Sequence, residues 1–135
     1  MRAHASAPLE RTNSNFANLA GKRILVVEDE PVISVDYRFE LLKVGATPQA
    51  YLPTNASALS YLETHPVDAA IVDYRLRDGT SEPVMDWLLN HHVPFIVISA
   101  WVEKLQLRPH ARVATVLEKP VTPSDLWQAL SEVIH

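Results

Sequence analysis

Short apolar runs alternate with amphipathic stretches along most of this chain. The runs are five or six residues long and rich in β-forming residues, and polar or turn-forming residues follow them, which is typical of buried parallel strands. The stretches between the runs repeat apolar residues at helical spacing, as amphipathic helices do. This pattern predicts five strands, over residues 23–27, 47–52, 69–74, 94–98 and 113–117.

Helices are predicted between the strands and after the last one, and proline marks several of their ends. Pro31 suits the first turn of the first helix, and Gly45 ends that helix. Four apolar residues of this helix recur at helical spacing and are expected to face the core, namely Val32, Val35, Phe39 and Leu42. The other helices are predicted to begin near Asn55, Ser81, Val102 and Thr122.

Strand and helix therefore alternate five times, which predicts an α/β fold with a five-stranded parallel sheet and helices on both faces. We expect the strand order 2-1-3-4-5 of flavodoxin-like (βα)5 folds, in which the first and third strands flank the ligand crevice. Pro48 lies inside the second strand and cannot donate a ladder hydrogen bond, so this strand is predicted at an edge of the sheet.

The composition is that of an ordinary globular chain, with 135 residues, 47% of them hydrophobic and 21% charged. A net charge of −4 without a Lys/Arg cluster argues against nucleic acid as a partner. The lack of cysteine excludes disulfides and thiolate metal sites. No apolar run approaches the ~20 residues of a membrane span, and residues 1–20 do not resemble a secretory signal. We therefore expect a cytoplasmic protein with no membrane contact.

The domain is predicted to begin near residue 22. Residues 1–21 are rich in Ala, Ser and Asn without sustained periodicity, and we interpret them as a flexible N-terminal arm. Phe16 and Leu19 leave open a second interpretation, in which the arm docks onto the domain or onto another subunit. Residues 22–135 are assigned to the single domain.

Polar side chains lie at the carboxyl ends of four of the predicted strands. Glu28 and Asp29 come after the first, Asp73 lies at the end of the third, Ser99 follows the fourth and Lys119 the fifth. In the predicted order these residues share one crevice. The carboxylates repel one another, and protonation, the ammonium group or a divalent cation can offset that repulsion. An all-oxygen site without His or Cys favours Mg²⁺ or Mn²⁺ over zinc, although acidic residues here also stabilise a helix N-terminus.

Four short motifs at these strand ends resemble those of the receiver domain of two-component response regulators. They are Val26-Val27-Glu28-Asp29-Glu30, Ile71-Val72-Asp73, Ile98-Ser99-Ala100 and Lys119-Pro120. Each motif is weak alone, but all four occur in the family's order and each lies at a strand end. The resemblance covers roughly residues 23–134.

The resemblance implies that Asp73 accepts a phosphoryl group from a histidine kinase or a histidine phosphotransfer protein. It also implies Mg²⁺, or Mn²⁺, as the cofactor, with ligands from Glu28, Asp29, Asp73 and the backbone carbonyl of Arg75. Lys119 and Ser99 would bind phosphoryl oxygens, and the peptide bond between Lys119 and Pro120 would be cis.

A stand-alone response regulator is the function that the resemblance implies. Such a protein signals by phosphorylation-dependent protein binding, or passes or absorbs phosphoryl groups in a phosphorelay. It is not an enzyme beyond phosphorylating and slowly dephosphorylating itself. A homodimer through the helix predicted over 102–110, the fifth strand and the last helix is a further implication of the resemblance.

Three features depart from the common family pattern. The loop after Asp73 lacks the proline often found there, Val116 stands where the fifth strand usually carries an aromatic switch residue, and Trp101 lies two residues after Ser99. These features resemble an atypical branch of single-domain receivers. Because Val116 is small and stiff at χ1, we expect Trp101 to act with Ser99 as the switch.

Two other classes of function remain open from the residues. One is a receiver-like docking module that never takes a phosphoryl group. The other is a phosphatase with an aspartate nucleophile, but such enzymes generally carry a second aspartate two residues later, where this chain has Arg75. The six histidines show no ligand spacing on one helix face and are expected on the surface.

Overall fold

A computed structural model describes residues 16–101 and 115–134 of the chain. Its strands are β1 (Arg23–Val27), β2 (Thr47–Leu52), β3 (Ala69–Asp73), β4 (Arg75–Leu76), β5 (Gly79–Thr80), β6 (Phe95–Ser99) and β7 (Thr115–Glu118). Five of them form one sheet in the order β2-β1-β3-β6-β7, and all its pairings are parallel. Because β6 and β7 are the predicted fourth and fifth strands, this is the expected order 2-1-3-4-5. The predicted flavodoxin-like α/β fold is therefore confirmed. The edge position of β2, which carries Pro48, is confirmed as well.

Among the described residues, four helices and one 3-10 turn accompany these strands. The helices are α1 (Pro31–Lys43), α2 (Asn55–Thr64), α3 (Glu82–Asn90) and α4 (Pro123–Val133), and the 3-10 turn spans Ala17–Leu19. The helix predicted over 102–110 and the first two residues of the predicted fifth strand lie outside the described residues. Within the described ranges, no helix is both long and apolar enough to cross a bilayer.

Side-chain caps fix where α2 and α4 begin. The Thr54 hydroxyl accepts a hydrogen bond from the backbone N–H of Ser57, and the Ser57 hydroxyl accepts one from the N–H of Thr54. This reciprocal pair satisfies two amides that would otherwise lack partners at a helix start. Thr122 caps α4 in the same way by accepting from the N–H of Asp125, with Pro123 at the first helical position.

The sheet separates two hydrophobic layers. Alternate residues of β1 point to opposite faces, so Ile24 and Val26 pack in the layer beneath α1 and α4, whereas Leu25 and Val27 pack beneath α2 and α3. Because β1 and β3 are covered on both sides, nearly all their side chains are apolar and buried. Polar side chains at their carboxyl ends therefore stand out as functional candidates.

The face of α1 predicted to meet the core is the wrong one. The four residues named for it, Val32, Val35, Phe39 and Leu42, have exposed fractions of 73%, 53%, 58% and 60%. Instead Tyr37 and Leu41 are buried and belong to the core. Apolar residues surround this helix on all sides, so helical spacing fits two different faces. The contacts of α1 with the sheet and with α4 select between them, and we call the exposed set the α1 stripe.

The end of the predicted N-terminal arm belongs to the domain. Phe16 and Leu19 are buried in the core, and the Phe16 ring lies 5.7 Å from that of Trp127. The Asn18 side-chain amide donates to the backbone carbonyls of Ser131 and Ile134 at 2.9 and 3.2 Å. Residues 16–21 therefore belong to the domain, and the predicted boundary after residue 21 is wrong for them. The interpretation in which the arm docks onto the domain holds for this segment. Residues 1–15 lie outside the described ranges.

The corrected arm and the corrected helix face give a paired test of packing. Leu19→Ala is expected to lower the free energy of unfolding by about 3 kcal/mol, because it empties a fully buried position. Leu42→Ala removes the same atoms from an exposed position and is expected to cost about 0.5 kcal/mol or less. Urea unfolding followed by circular dichroism measures both. Equal losses in the two variants would contradict the assignment of these residues to core and surface.

Candidate functional site

The pairing of β1 with β3 brings two carboxylates together. Val27 pairs with Val72, so the next residues, Glu28 and Asp73, lie side by side at the carboxyl edge of the sheet. The N–H of Glu28 donates to the carbonyl of Leu52 at 3.2 Å, which continues the hydrogen bonding of β1 to β2 one residue beyond the strand. The carboxylates are therefore held on a rigid part of the fold.

Ser99 and Lys119 reach the same edge from β6 and β7. The N–H of Lys119 donates to the carbonyl of Ser99 at 2.9 Å, which holds the two residues next to each other at the ends of neighbouring strands. The Lys119 ammonium lies 3.3 Å from Asp73 Oδ1 and 3.7 Å from Glu28 Oε1. The predicted cis peptide bond between Lys119 and Pro120 is present.

Carboxylate oxygens of Glu28, Asp29 and Asp73 lie within 4.8 Å of one another. Glu28 is completely buried, Asp73 is 6% exposed, and Asp29 is partly exposed. Glu28 Oε2 accepts from the N–H of Glu30 at 3.1 Å, whereas Glu28 Oε1 makes no hydrogen bond to the described part of the chain. A buried carboxylate oxygen without a hydrogen bond, in an all-oxygen cluster, fits a hard divalent cation such as Mg²⁺. These three side chains can therefore hold one.

Burial and charge shift the pKa values in this cluster. Burial is the main cause that raises the pKa of Glu28 from 4.5 to about 8, and the charge of Asp73 adds to it. Burial also raises the pKa of Asp73, against the opposing attraction of Lys119. Burial by itself lowers the pKa of Lys119, but the nearby carboxylates outweigh this and raise it. Without a bound cation, the cluster thus reduces its own repulsion by keeping a proton at neutral pH.

A crevice of about 480 Å³ opens above the cluster. Its lining includes Asp29, Asp73, Arg75, Ser99, Ala100, Trp101 and Lys119. The Ser99 hydroxyl oxygen accepts from the N–H of Trp101 at 3.1 Å, so its own proton remains available to donate. Every candidate site residue named from the sequence therefore lies in the crevice, except Glu28, which lies buried beneath it.

Val116, the residue in the usual switch position, does not line this crevice. It pairs with Val97 in the sheet and packs, partly buried, against the hydrophobic layer beneath α2 and α3. The Trp101 side chain is 60% exposed at the rim of the crevice.

Sequence reasoning missed two residues next to the site. The Tyr51 hydroxyl donates to the backbone carbonyl of Asp29 at 2.7 Å, and the Arg77 guanidinium donates to the same oxygen at 3.1 Å. Tyr51 belongs to β2, and Arg77 lies at the turn between β4 and β5, a hairpin that was not predicted. A lone Tyr and a lone Arg in these positions carry no recognisable pattern, so no signal in the sequence identifies them.

Comparison with known proteins gives relatives over most of the chain, although no protein-family model matches it. The chain is similar to the phyllosphere-induced regulator PhyR of Methylorubrum extorquens, with 27% identity over 114 residues. The aligned region covers 82% of this chain and 43% of that protein, so the chain spans less than half the length of this relative.

Solved structures share the fold, and two of them illustrate the likeness. The REC domain of the response regulator PhyR from Erythrobacter litoralis matches with a TM-score of 0.75 and 25% identity, over 84% of this chain and 90% of that one. SdrG from Sphingomonas melonis Fr1 matches with a TM-score of 0.72 and 33% identity, over 84% of this chain and 96% of that one. The likeness therefore extends over the greater part of the chain rather than over one motif.

The raised pKa of Glu28 predicts how stability depends on pH in the presence of EDTA. The folded protein holds this proton up to about pH 8, whereas the unfolded chain loses it near 4.5, so the free energy of unfolding falls as the pH rises through that window. Glu28→Gln keeps the size and removes the titration, so its stability is expected to fall less over the same interval. Urea unfolding at a series of pH values measures this. Parallel curves for the two proteins would contradict the raised pKa.

Proposed function

This chain belongs to the receiver-domain family of response regulators, and from that premise we propose that Asp73 accepts a phosphoryl group from a phosphohistidine. The observation that carries the proposal is the contact of Asp73 with Lys119 at 3.3 Å, at the floor of an open crevice. Glu28 is a poorer acceptor, because it is completely buried and does not line the crevice. A phosphoryl donor can therefore reach Asp73 but not Glu28.

Transfer requires positioning and charge neutralisation more than acid–base catalysis. A carboxylate oxygen of Asp73 forms the new P–O bond as the P–N bond of the donor breaks, and the leaving imidazole keeps the electron pair and takes a proton from water. The Lys119 ammonium already lies beside the accepting oxygen and can follow the phosphoryl oxygens as they arrive. The Ser99 hydroxyl, whose proton is not used by its bond from Trp101, can donate to another of them.

Mg²⁺ is the cofactor that the proposal assigns, with Mn²⁺ as a substitute. Its ligands would be the carboxylates of Glu28, Asp29 and Asp73 and the backbone carbonyl of Arg75, a residue that also lines the crevice. When bound, it supplies positive charge to the transferring phosphoryl group. In the absence of the ion, the Lys119 ammonium and the proton on Glu28 reduce the repulsion among the three carboxylates.

The donor is a helical histidine kinase or histidine phosphotransfer protein, and the α1 stripe is where we expect it to dock. The helix that carries the stripe begins directly after Glu30, which lines the crevice. Its exposed apolar residues repeat at the spacing with which helices pack against helices. A donor helix seated there lies next to the accepting carboxylate. An apolar patch of this kind on a small domain is a mark of protein binding.

The output of the proposed receiver is a phosphorylation-dependent change in protein binding, or onward transfer of the phosphoryl group. Homodimerisation through residues 102–110, β7 and α4 remains a prediction, since the first of these segments lies outside the described residues. Cytoplasmic location also remains a prediction.

A labelling experiment tests the acceptor. Incubation with a small acyl phosphate and Mg²⁺ is expected to add one phosphoryl group, seen by intact-mass spectrometry and removed by hydroxylamine. Asp73→Asn removes the acceptor without changing side-chain size and is expected to abolish the gain in mass. Asp36→Asn is the matched control, because Asp36 is an exposed carboxylate on α1 that is not one of the three clustered carboxylates, and it is expected to label fully. Full labelling of Asp73→Asn would refute the assignment, and an unlabelled wild-type protein would favour the docking module.

A fluorescence experiment tests the proposed switch. When the Ser99 hydroxyl turns toward a phosphoryl group, the geometry of the hydrogen bond that it accepts from the N–H of Trp101 is expected to change. The backbone of Trp101 then shifts, and the environment of its indole changes with it. The measurement uses a protein with Trp87→Phe and Trp127→Phe, in which Trp101 is the remaining indole. Addition of beryllium fluoride and Mg²⁺ is expected to shift its emission, and the same protein carrying Asp73→Asn serves as the control. Unchanged emission in the first protein contradicts a switch role for Trp101.

A further inference from the structure

One peptide unit beside the crevice is held on both sides. Its N–H, from Glu30, donates to Glu28 Oε2 at 3.1 Å. Its carbonyl, from Asp29, accepts from the Tyr51 hydroxyl at 2.7 Å and from Arg77 Nη2 at 3.1 Å. Because this peptide plane is fixed, the backbone from which the Asp29 side chain projects cannot rotate freely. The backbone position from which the Asp29 side chain projects is therefore held in part by Tyr51 and Arg77, which lie outside its own loop.

The hairpin that carries Arg77 is itself anchored on its far side. Asp78 Oδ1 accepts from the N–H of Asn55 at 2.9 Å, and Asp78 Oδ2 accepts from the N–H of Ala56 at 3.2 Å, so the hairpin caps the start of α2. The Asn55 side-chain amide also donates to the carbonyl of Thr80 at 2.9 Å. Arg77 thus connects a firmly seated hairpin to the loop after β1.

We propose that Tyr51 and Arg77 are positioning residues for the cation site, because together they hold the Asp29 carbonyl against the β4–β5 hairpin. This inference rests on the proposed function, in which Asp29 and the carbonyl of Arg75 are ligands of one ion. The first ligand lies on the loop after β1 and the second on the hairpin. The bond from Arg77 to Asp29 is a direct link between these two halves of the site and fixes their separation.

The charge of Arg77 makes the proposal testable by the sign of an effect. A guanidinium near a cation site repels the cation, so its removal raises affinity if charge is all that matters. If Arg77 positions the ligands, its removal lowers affinity instead, in spite of the lost repulsion. Tyr51 gives the same information without a change of charge, since Tyr51→Phe deletes only the hydroxyl that donates to Asp29.

The two residues are also coupled to each other. Arg77 Nη2 lies 3.4 Å from the Tyr51 hydroxyl oxygen, so the guanidinium can donate to the hydroxyl while the hydroxyl donates to Asp29. Hydrogen bonds in such a chain polarise and strengthen one another. Loss of either residue therefore weakens the contribution of the other, and their effects are expected to be less than additive.

The test measures Mn²⁺ binding to the full chain by electron paramagnetic resonance, which reads the free ion and needs no phosphoryl donor. Tyr51→Phe and Arg77→Gln are each expected to weaken Mn²⁺ binding about tenfold, the usual scale for residues that orient metal ligands. The double variant is expected to lose less than the product of the two. Arg77→Lys keeps the charge and one donor and is expected to restore part of the affinity.

Two matched controls separate positioning from general effects. Tyr61→Phe removes a hydroxyl that donates to Gln49 Oε1 at 2.7 Å, between α2 and β2, and is expected to leave Mn²⁺ affinity unchanged. Arg75→Gln removes a positive charge from the same hairpin but keeps the backbone carbonyl and both bonds to Asp29. It is expected to strengthen Mn²⁺ binding through lost repulsion.

The outcomes distinguish this inference from the proposed function. Wild-type affinity in both Tyr51→Phe and Arg77→Gln, or tighter binding in Arg77→Gln, overturns the positioning role while the cation site stands. A wild-type protein that binds no Mn²⁺ overturns the cation site itself and this inference with it. Weaker binding in both variants, with the controls behaving as stated, supports the positioning role.

Discussion

Burial of negative charge at the carboxyl ends of β1 and β3 is the constraint on which the rest of this structure depends. Glu28 is fully buried and Asp73 nearly so, and the pairing of the two strands leaves them side by side. Two charges ~4 Å apart repel by about 4 kcal/mol at an effective dielectric of 20, a large part of the net stability of a small domain. The Lys119 ammonium and a proton on Glu28 offset part of this repulsion. A bound cation would stabilise the site further.

The carboxylates repel one another, so they have to be held in place by rigid neighbouring structure. Backbone hydrogen bonds from the adjacent strands and loops do this. Lys119 is fixed by its backbone bond to Ser99, and Glu28 by its bonds to Leu52 and to the N–H of Glu30. The hairpin after β3, capped onto α2 by Asp78, gives the loop after β1 a firm surface to bond to. The site is therefore organised in advance, so little conformational entropy has to be lost when a cation or a phosphoryl group arrives.

We expect input and output to use different surfaces of the proposed receiver. The α1 stripe offers apolar side chains next to the crevice, where a helical donor can approach Asp73. The Ser99 hydroxyl, in contrast, accepts a hydrogen bond from the N–H of Trp101 and lies at the end of β6, which pairs with β3 on the side away from β1. Val116 is β-branched and packs in the sheet layer, so it cannot swing between two positions as a large aromatic side chain can. In the proposed switch, a change at Asp73 is therefore expected to pass from Ser99 to the N–H of Trp101.

The sequence by itself determined the five strands of the parallel sheet, their order and the presence of an acidic cluster with Ser99 and Lys119, because long apolar runs and their ends are local features. It did not determine the short β4–β5 hairpin. It could not determine which side of α1 faces inward, since Val32 and Leu41 both fit a helical repeat, and only contact with the sheet and α4 selects one. Likewise the docking of Phe16 and Leu19, and the bonds of Tyr51 and Arg77 to Asp29, join residues far apart in the chain. Tertiary structure decided these, because the free energy of such contacts depends on neighbours that no local pattern encodes.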